Sequence, residues 1–335
     1  MTFERCDWRP PEAWKGRIDD PGDPLAARWH QRLSLWDGSP PKPAVAGRRR
    51  LWFVGCASDV GVGRNLGRRG AASAPAQVRA AMANLPAHFG DGVELVDAGD
   101  LLPRGDDLEG CEDALALLVS SIVAAGDFPI VLGGGHEIAF GVYEGIRSGL
   151  AEAGRPSPPS IVSFDAHFDL RPEGPQETPL SSGNMFRRIA RLCAERGEEF
   201  RYRVVGIQRS SNTASLFALA DRLGVEYHLA REFEESDQER LRAILKRWIS
   251  EDRPLYVSLC FDVIAAAHAP AVSAPQPFGM DPRYILEGLR TLARSGAAAG
   301  LDIAEISPRF DRDDRTARLA AVLIFAWVNA LAGLE

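Results

Sequence analysis

Ile161-Val-Ser-Phe-Asp165-Ala-His-Phe-Asp169 is the stretch on which the fold turns. Its first four residues are almost wholly apolar and lack the alternation of a strand with one wet face. They read as a β-strand covered on both sides, as in a parallel sheet. Seven further short runs share that character: Leu51–Val54, Val93–Val96, Pro129–Leu132, Arg203–Ile207, Val225–His228, Leu255–Phe261 and Ala298–Ile303. Between them lie stretches of helical period: Pro75–Asn84, Cys111–Ala125, Ile138–Ser148, Asn184–Arg196, Ala214–Leu223, Asp237–Ile249, Asp281–Arg294 and Arg315–Leu334. The first of these opens with proline, which suits a helix start. Alternating β and α units predict an α/β, three-layer, doubly wound domain around a mostly parallel sheet of about eight strands. No linker divides the chain, so residues 46–335 are expected to form one domain. Residues 1–45 are rich in Trp, Pro and Asp with little periodicity. They read as an N-terminal arm with one short helix near Leu25–Leu35.

In open α/β sheets ligands bind beyond the carboxyl ends of the strands. Several of these ends carry unusual polar residues. If the chain stays extended after Phe164, the side chains of Asp165, His167 and Asp169 face one way. Two carboxylates buried together repel and are costly to desolvate; a divalent cation removes both problems, whereas a surface turn would leave the acids solvated. Pro129–Leu132 runs into Gly133-Gly-Gly-His-Glu137, where glycines permit a sharp turn and a close approach that delivers His136 to the mouth of the sheet. Leu255–Phe261 ends in Asp262, with Cys260 two residues earlier on the same face. Glu305 follows Ala298–Ile303. His136, Asp165, His167, Asp169, Asp262 and Glu305 are thus expected at one edge. Mixed imidazole and carboxylate ligands without a thiolate pair suit Mn²⁺, with Zn²⁺, Fe²⁺ or Co²⁺ as alternatives. The carboxylates suffice for two ions, and two-metal sites activate a hydroxide for hydrolysis.

Composition removes other classes. The 335 residues carry a net charge of −7 with no basic stripe, which argues against a nucleic-acid partner. Arg48, Arg49 and Arg50 directly precede an apolar run and read as a solvated strand entrance. Gly133–Gly135 belong to no GxGxxG, and no P-loop lysine follows, so they are not a nucleotide loop. The first residues show no apolar signal segment. Leu319–Leu334 is short for a bilayer span and is expected to be a buried helix, with no membrane partner. The five cysteines, at 6, 56, 111, 193 and 260, form no CxxC and no zinc spacing. Reduced thiols, a cytoplasmic location and a small-molecule substrate are the expectation.

The motifs together resemble the ureohydrolase (arginase/agmatinase) superfamily over nearly the whole chain from about residue 50. Gly133–Glu137, Asp165–Asp169, and Ser258–Asp262 followed by Ala269-Pro-Ala-Val-Ser-Ala-Pro275 occur in its order and spacing. Gly63–Ala71 and Asp302–Pro308 match as well. Within the superfamily the details are most similar to formimidoylglutamases: Gly-Gly-Gly-His-Glu at 133–137, Asp169-Leu-Arg171, Ser182-Gly183 followed by Phe186-Arg187, and the early Trp14–Asp20. The resemblance implies an arginase-like fold and an oligomer, a trimer or hexamer. It also implies hydrolysis of N-formimidoyl-L-glutamate to L-glutamate and formamide, in histidine degradation, with two Mn²⁺ per subunit.

The resemblance further implies that His136, Asp165 and Asp169 hold one ion, and Asp165, His167 and Asp262 the other. Glu305 would face the cationic amidinium, and Asp169 would pass a proton to the departing nitrogen. Arg171, Ser182, Asn184 and Arg187 would grip the glutamate carboxylates. Two positions depart from arginases. Phe186 stands where they have histidine, which argues against arginase activity. Cys260 stands where the superfamily has an aspartate bridging both ions; it reads either as a ligand or as a small buried apolar residue. Cys56 also ends a strand, so Cys56 and Cys260 are expected to form a redox pair if their strands are neighbours. Two other readings stay open here: hydrolysis of another amidino or guanidino compound, and a metal-poor, catalytically silent binding or assembly protein.

Overall fold

The computed structural model describes residues 1, 3–155, 157–172, 179–233, 238–251 and 253–334. Within these, one sheet is built from β1 (Cys6–Arg9), β2 (Leu33–Leu35), β3 (Arg49–Cys56), β4 (Val93–Pro103), β5 (Phe128–Gly133), β6 (Ser160–Phe164), β7 (Tyr202–Ile207), β8 (Glu226–Leu229), β9 (Leu255–Cys260) and β10 (Ala298–Ala304). The order is β1-β4-β3-β5-β10-β9-β6-β7-β8, with β2 also on β4. Among the described residues every pairing between these strands but β1 with β4 is parallel. All eight expected strands are present. β5, β6, β7 and β9 are buried along their whole length, as their unbroken apolar character requires.

The helices are α1 (Val60–Arg64), α2 (Ala74–Met82), α3 (Leu108–Ala124), α4 (Ile138–Glu152), α5 (Met185–Arg196), α6 (Ala214–Arg222), α7 (Gln238–Ile249), α8 (Pro282–Arg294) and α9 (Arg315–Leu331). The expected helix start at Asp237 lies outside the described residues. One core layer is formed by α2, α7, α8 and α9, and includes Met82, Trp248, Leu289 and Trp327. The other is formed by α3, α4, α5 and α6, and includes Leu115, Ile146, Ile189 and Ala220. This is the three-layer arrangement. Among the described residues no helix is long and apolar enough to cross a membrane; α9 instead buries Leu323, Ile324, Trp327 and Val328.

The sheet has ten strands rather than about eight, because residues 1–45 supply two. The expected helix near Leu25–Leu35 is also replaced. Asp23 accepts from the Leu25 N–H and Pro24 starts a 3-10 turn, a second turn follows at Trp29–Gln31, and Leu33–Leu35 then pairs with β4. Burial of Trp29 decides this. It is fully enclosed, with its ring 6.0 Å from Phe53 and 6.1 Å from Phe89. A continuous helix would have withheld the backbone of Leu33–Leu35 from β4. Trp14 is anchored likewise, its Nε1 donating to Asp97 at 2.7 Å. Arg79 of α2 ion-pairs with Asp97 and Asp100 of β4 at 2.9 and 2.5 Å, so the first α/β unit is tied by a buried charge cluster.

The order β5-β10-β9-β6 places side by side the four strands that lead to His136, Glu305, Cys260 and Asp165. Their ends are level, with Leu132 opposite Ile303, Ala304 opposite Cys260, and Phe164 opposite Leu259. Level ends on adjacent strands, about 4.8 Å apart, deliver polar side chains to one small volume.

Candidate metal centre

The loop after β5 turns against the end of β3. Gly134 N–H donates to Cys56 O at 2.9 Å and Gly135 N–H to Ser58 O at 3.1 Å. A Cβ on Gly134 would lie 1.9 Å from Ser58 O, so only glycine fits there. His136 emerges fully buried. Its N–H donates to Glu305 Oε1 at 2.7 Å, and its Nε2 lies 2.8 Å from Ser258 Oγ. Ser258 spends its own hydroxyl hydrogen on Asp302 Oδ1 at 3.1 Å, and Tyr256 also donates to Asp302. Ser258 must therefore accept from His136 Nε2–H. That leaves the Nδ1 lone pair facing Asp169 Oδ2 at 2.8 Å and Asp165 Oδ2 at 3.0 Å. A lone pair aimed at two carboxylates is repulsive unless a proton or a cation lies between them.

The chain does not stay extended after β6. His167 N–H donates to Asp165 Oδ1 at 2.7 Å, and Asp169 takes a left-handed φ of 49°. The expected shared face of an extended strand is thus a tight turn, and it still gathers the three side chains. His167 Nδ1 lies 3.0 Å from Asp262 Oδ2 and 3.6 Å from Asp165 Oδ1. After Cys260 a 3-10 turn at Phe261–Val263 carries Asp262 inward.

Two groups of ligand atoms result, each with all members within 4.8 Å of one another: His136 with Asp165 and Cys260, and Asp165 with His167 and Asp262. Asp165 belongs to both, and its Oδ2 is buried without a hydrogen bond. Asp169 touches the first group through His136. The donor set fits a pair of divalent cations: shared carboxylate, one imidazole on each side, and a second residue, Ser258, fixing the tautomer.

The electrostatics agree. Burial opposes the His136 imidazolium, and Asp165 and Asp169 outweigh it, so its pKa is held well above the ordinary value. Burial likewise opposes a charged His167, and Asp262 and Asp165 raise it. Burial would raise Asp165, yet the two histidines hold it low. Burial and the neighbouring Asp165 push Asp169 up to about 6. Burial, then Asp165 and Asp262, drive the Cys260 thiol well above its usual range, so the bare site holds it neutral. Glu305 is pushed up to about 8 by burial and by Glu137, and its Oε2 is buried without a partner.

Above this floor is a cavity of about 250 Å³ lined by His167, Asp169, Cys260, Asp262 and Glu305, and by Arg171 and Ser182. Asn184 and Arg187 are not among its lining residues. Asn184 is buried and used locally, its amide accepting from Ser181 N–H and donating to Pro179 O. The lining also includes Asn65–Arg68, Ser273 and Ala274, to which the sequence reading gave no role. Their signal was present, since both segments lie in motifs that matched the superfamily. Glu137 was also passed over. Its Oε1 accepts the Gly61 N–H at 3.0 Å and braces α1 against the β5 loop.

The expected Cys56–Cys260 pair does not exist. β5 and β10 lie between β3 and β9, a separation of about 14 Å at the usual strand spacing and far beyond disulfide reach. Cys56 instead faces Cys111, 4.0 Å away, and Cys111 lies 3.3 Å from Cys6.

Sheet order, shared ligand turn and enclosed acids define a ureohydrolase-type centre. The arginase family profile matches residues 49–328, and the chain belongs to that family. It is 40% identical to the formimidoylglutamase of Clostridium tetani over 337 residues, which span 99% of this chain and 97% of that one. Against the formimidoylglutamase of Ralstonia nicotianae the figures are 40% over 324 residues and 96% of each. The structure of formimidoylglutamase from Bacillus subtilis superposes with a TM-score of 0.76 at 22% identity, covering 91% of this chain and 92% of that one. Trypanosoma cruzi formiminoglutamase with Mn²⁺₂ gives 0.75 at 22%, covering 86% and 95%. At such identities the two structures share the fold.

Proposed function

We propose that the chain hydrolyses N-formimidoyl-L-glutamate to L-glutamate and formamide, with two Mn²⁺ held by His136, Asp165, His167, Asp169 and Asp262, beside Cys260 in a position that reads either as a ligand or as a small buried apolar residue. The observation that carries the reading is the Nδ1 atom of His136, aimed at two buried carboxylates with its other nitrogen already committed to Ser258. Full-length identity near 40% to formimidoylglutamases supports the choice of substrate. Two divalent ions held there supply a hydroxide nucleophile at neutral pH.

The chain's own groups do the rest. Glu305 Oε2, buried and unpartnered, receives the amidinium of the substrate, and that cation draws the carboxyl towards its ionised form. Asp169, beside His136 on the cavity wall, would take the proton released on attack and give it to the departing glutamate nitrogen. Arg171 and Ser182, on the wall of the cavity, hold carboxylate of the glutamate moiety. The buried free thiols of the chain suit action in a reducing cytoplasm.

The test is a comparison of products. Mn²⁺-loaded protein is expected to release formamide from N-formimidoyl-L-glutamate and no urea from arginine, agmatine or 4-guanidinobutyrate. Urea release exceeding formamide release would overturn the substrate assignment.

A further inference from the structure

The cavity wall carries a second guanidinium, Arg68, whose geometry is more constrained than that of Arg171. Its Nη2 donates to Val272 O at 2.6 Å and its Nε to Ser273 O at 3.2 Å. Its guanidinium carbon stands 4.2 Å from the centre of the Phe310 ring. Carbonyls orient a cation without neutralising it. Two of the five N–H donors of the fork are used, and three remain.

The segment that presents Arg68 is equally fixed. Gly67 N–H donates to Val62 O at 2.8 Å and Leu66 N–H to Gly63 O at 3.1 Å, a Schellman stop to α1. The left-handed position of that stop, normally glycine, is Leu66 with φ 60°. Five described non-glycine residues have positive φ, and three of them, Leu66, Asp169 and Glu305, line this one cavity. Strained backbone gathers where geometry serves function. Asn65 adds a tie, its Nδ2 donating to Ser182 Oγ at 3.3 Å.

Neither Arg68 nor Arg171 has a carboxylate partner among the described residues, in an acidic chain whose arginines are mostly paired. One small cavity thus holds an acid suited to an amidinium and two guanidinium groups without a carboxylate partner among the described residues. We propose that Arg68 is a specificity residue that binds one substrate carboxylate while Arg171 binds the other, so the site selects a dianionic formimidoyl amino acid over a monoanionic one. The pinned fork offers paired donors to a carboxylate with little ordering left to do. This inference rests on the formimidoylglutamate reading and deepens it.

The experiment compares wild type, Arg68→Met and Arg68→Lys, all Mn²⁺-loaded and matched in thermal unfolding. Three substrates are used: N-formimidoyl-L-glutamate, N-formimidoyl-4-aminobutyrate, which lacks the α-carboxylate, and N-formimidoyl-2-aminobutyrate, which lacks the γ-carboxylate. Arg68→Met is expected to raise KM for the dianion about tenfold or more with little change in kcat, as for loss of a charged hydrogen-bonded pair. It should leave KM unchanged for whichever monoanion lacks the carboxylate that Arg68 holds. Arg68→Lys should recover only part of the loss. A KM shift under about threefold for the dianion, or equal shifts for all three substrates, would overturn the proposal. Calorimetric binding of glutarate separates the two levels. If wild type releases no formamide but binds glutarate more tightly than Arg68→Met does, the function fails and the anion site stands. If the two bind alike, the anion site fails.

Discussion

Nε2 of His136 and Oγ of Ser258 lie 2.8 Å apart, and this contact decides which nitrogen of the buried imidazole is left for the carboxylates. Ser258 acts as acceptor because Asp302 takes its hydrogen. Ser258→Ala removes the acceptor and frees the tautomer. Partners of this kind are worth about 10–100-fold in metal affinity. The variant is expected to bind Mn²⁺ more weakly by that factor in a calorimetric titration, with the metal-free protein destabilised by about 1–3 kcal/mol because the buried Nε2–H loses its acceptor.

Cys260 occupies a ligand position as a neutral thiol. Cys260→Asp offers a hard carboxylate able to reach two ions, so Mn²⁺ affinity should rise about tenfold or more, in the range that partners outside the ligand set already command. The same substitution adds a further acid to Asp165, Asp262, Glu305 and Asp169. The metal-free variant is therefore expected to melt at a lower temperature than wild type, and the loaded variant at a higher one. Parallel melting curves with and without Mn²⁺ check both halves.

Arg79 is enclosed with Asp97 and Asp100 beneath the N-terminal arm. Arg79→Met leaves buried Asp97 without its cation and Asp100 with only the more distant Arg9, 3.8 Å away. Removing one partner of such a cluster costs about 3–5 kcal/mol. Urea unfolding of the metal-free protein should show a loss of that order, whereas exposed pairs such as Arg283 with Asp281 should show almost none when broken.

The metal-free protein should also lose stability as pH rises. Glu137 is pushed from 4.5 up to about 7, chiefly by burial. A carboxyl with a raised folded pKa holds its proton in the native state after the unfolded chain has released it. Its stabilising contribution is whole below pH 4.5 and fades as pH climbs through about 7. Glu137→Gln keeps the acceptor for the Gly61 N–H and removes the titration. It should flatten the pH dependence by on the order of 3 kcal/mol between those limits. Denaturant unfolding at pH 5 and pH 8 measures the difference.

Much of the fold is legible in the chain because buried parallel strands are unbroken apolar runs. Leu255–Cys260 and Ser160–Phe164 could be read by composition alone, and so could the ligands at their ends. Sheet order is different, because it is set by how helices pack on both faces. Nothing local to Cys56 or Cys260 says that β5 and β10 stand between them. The N-terminal arm was opaque for a related reason. Leu33–Leu35 is strand because Trp29 finds a cavity among Phe53, Phe89 and Phe325, a tertiary fact without periodicity. Asp169 shows the limit at the site itself. Its chemistry was readable, whereas its left-handed backbone was not, since that comes from the turn closed by His167 on Asp165.

The central claim is that the histidine and carboxylate residues at the ends of β5, β6 and β9 hold the metal on which amidine hydrolysis depends. The most direct measurement is formamide release from N-formimidoyl-L-glutamate by chelator-stripped protein, before and after Mn²⁺ is restored, for wild type and Asp165→Ala. Stripped protein is expected to release none, wild type to recover on adding Mn²⁺, and the variant not to recover. Equal release with and without metal, or full recovery in Asp165→Ala, would contradict it.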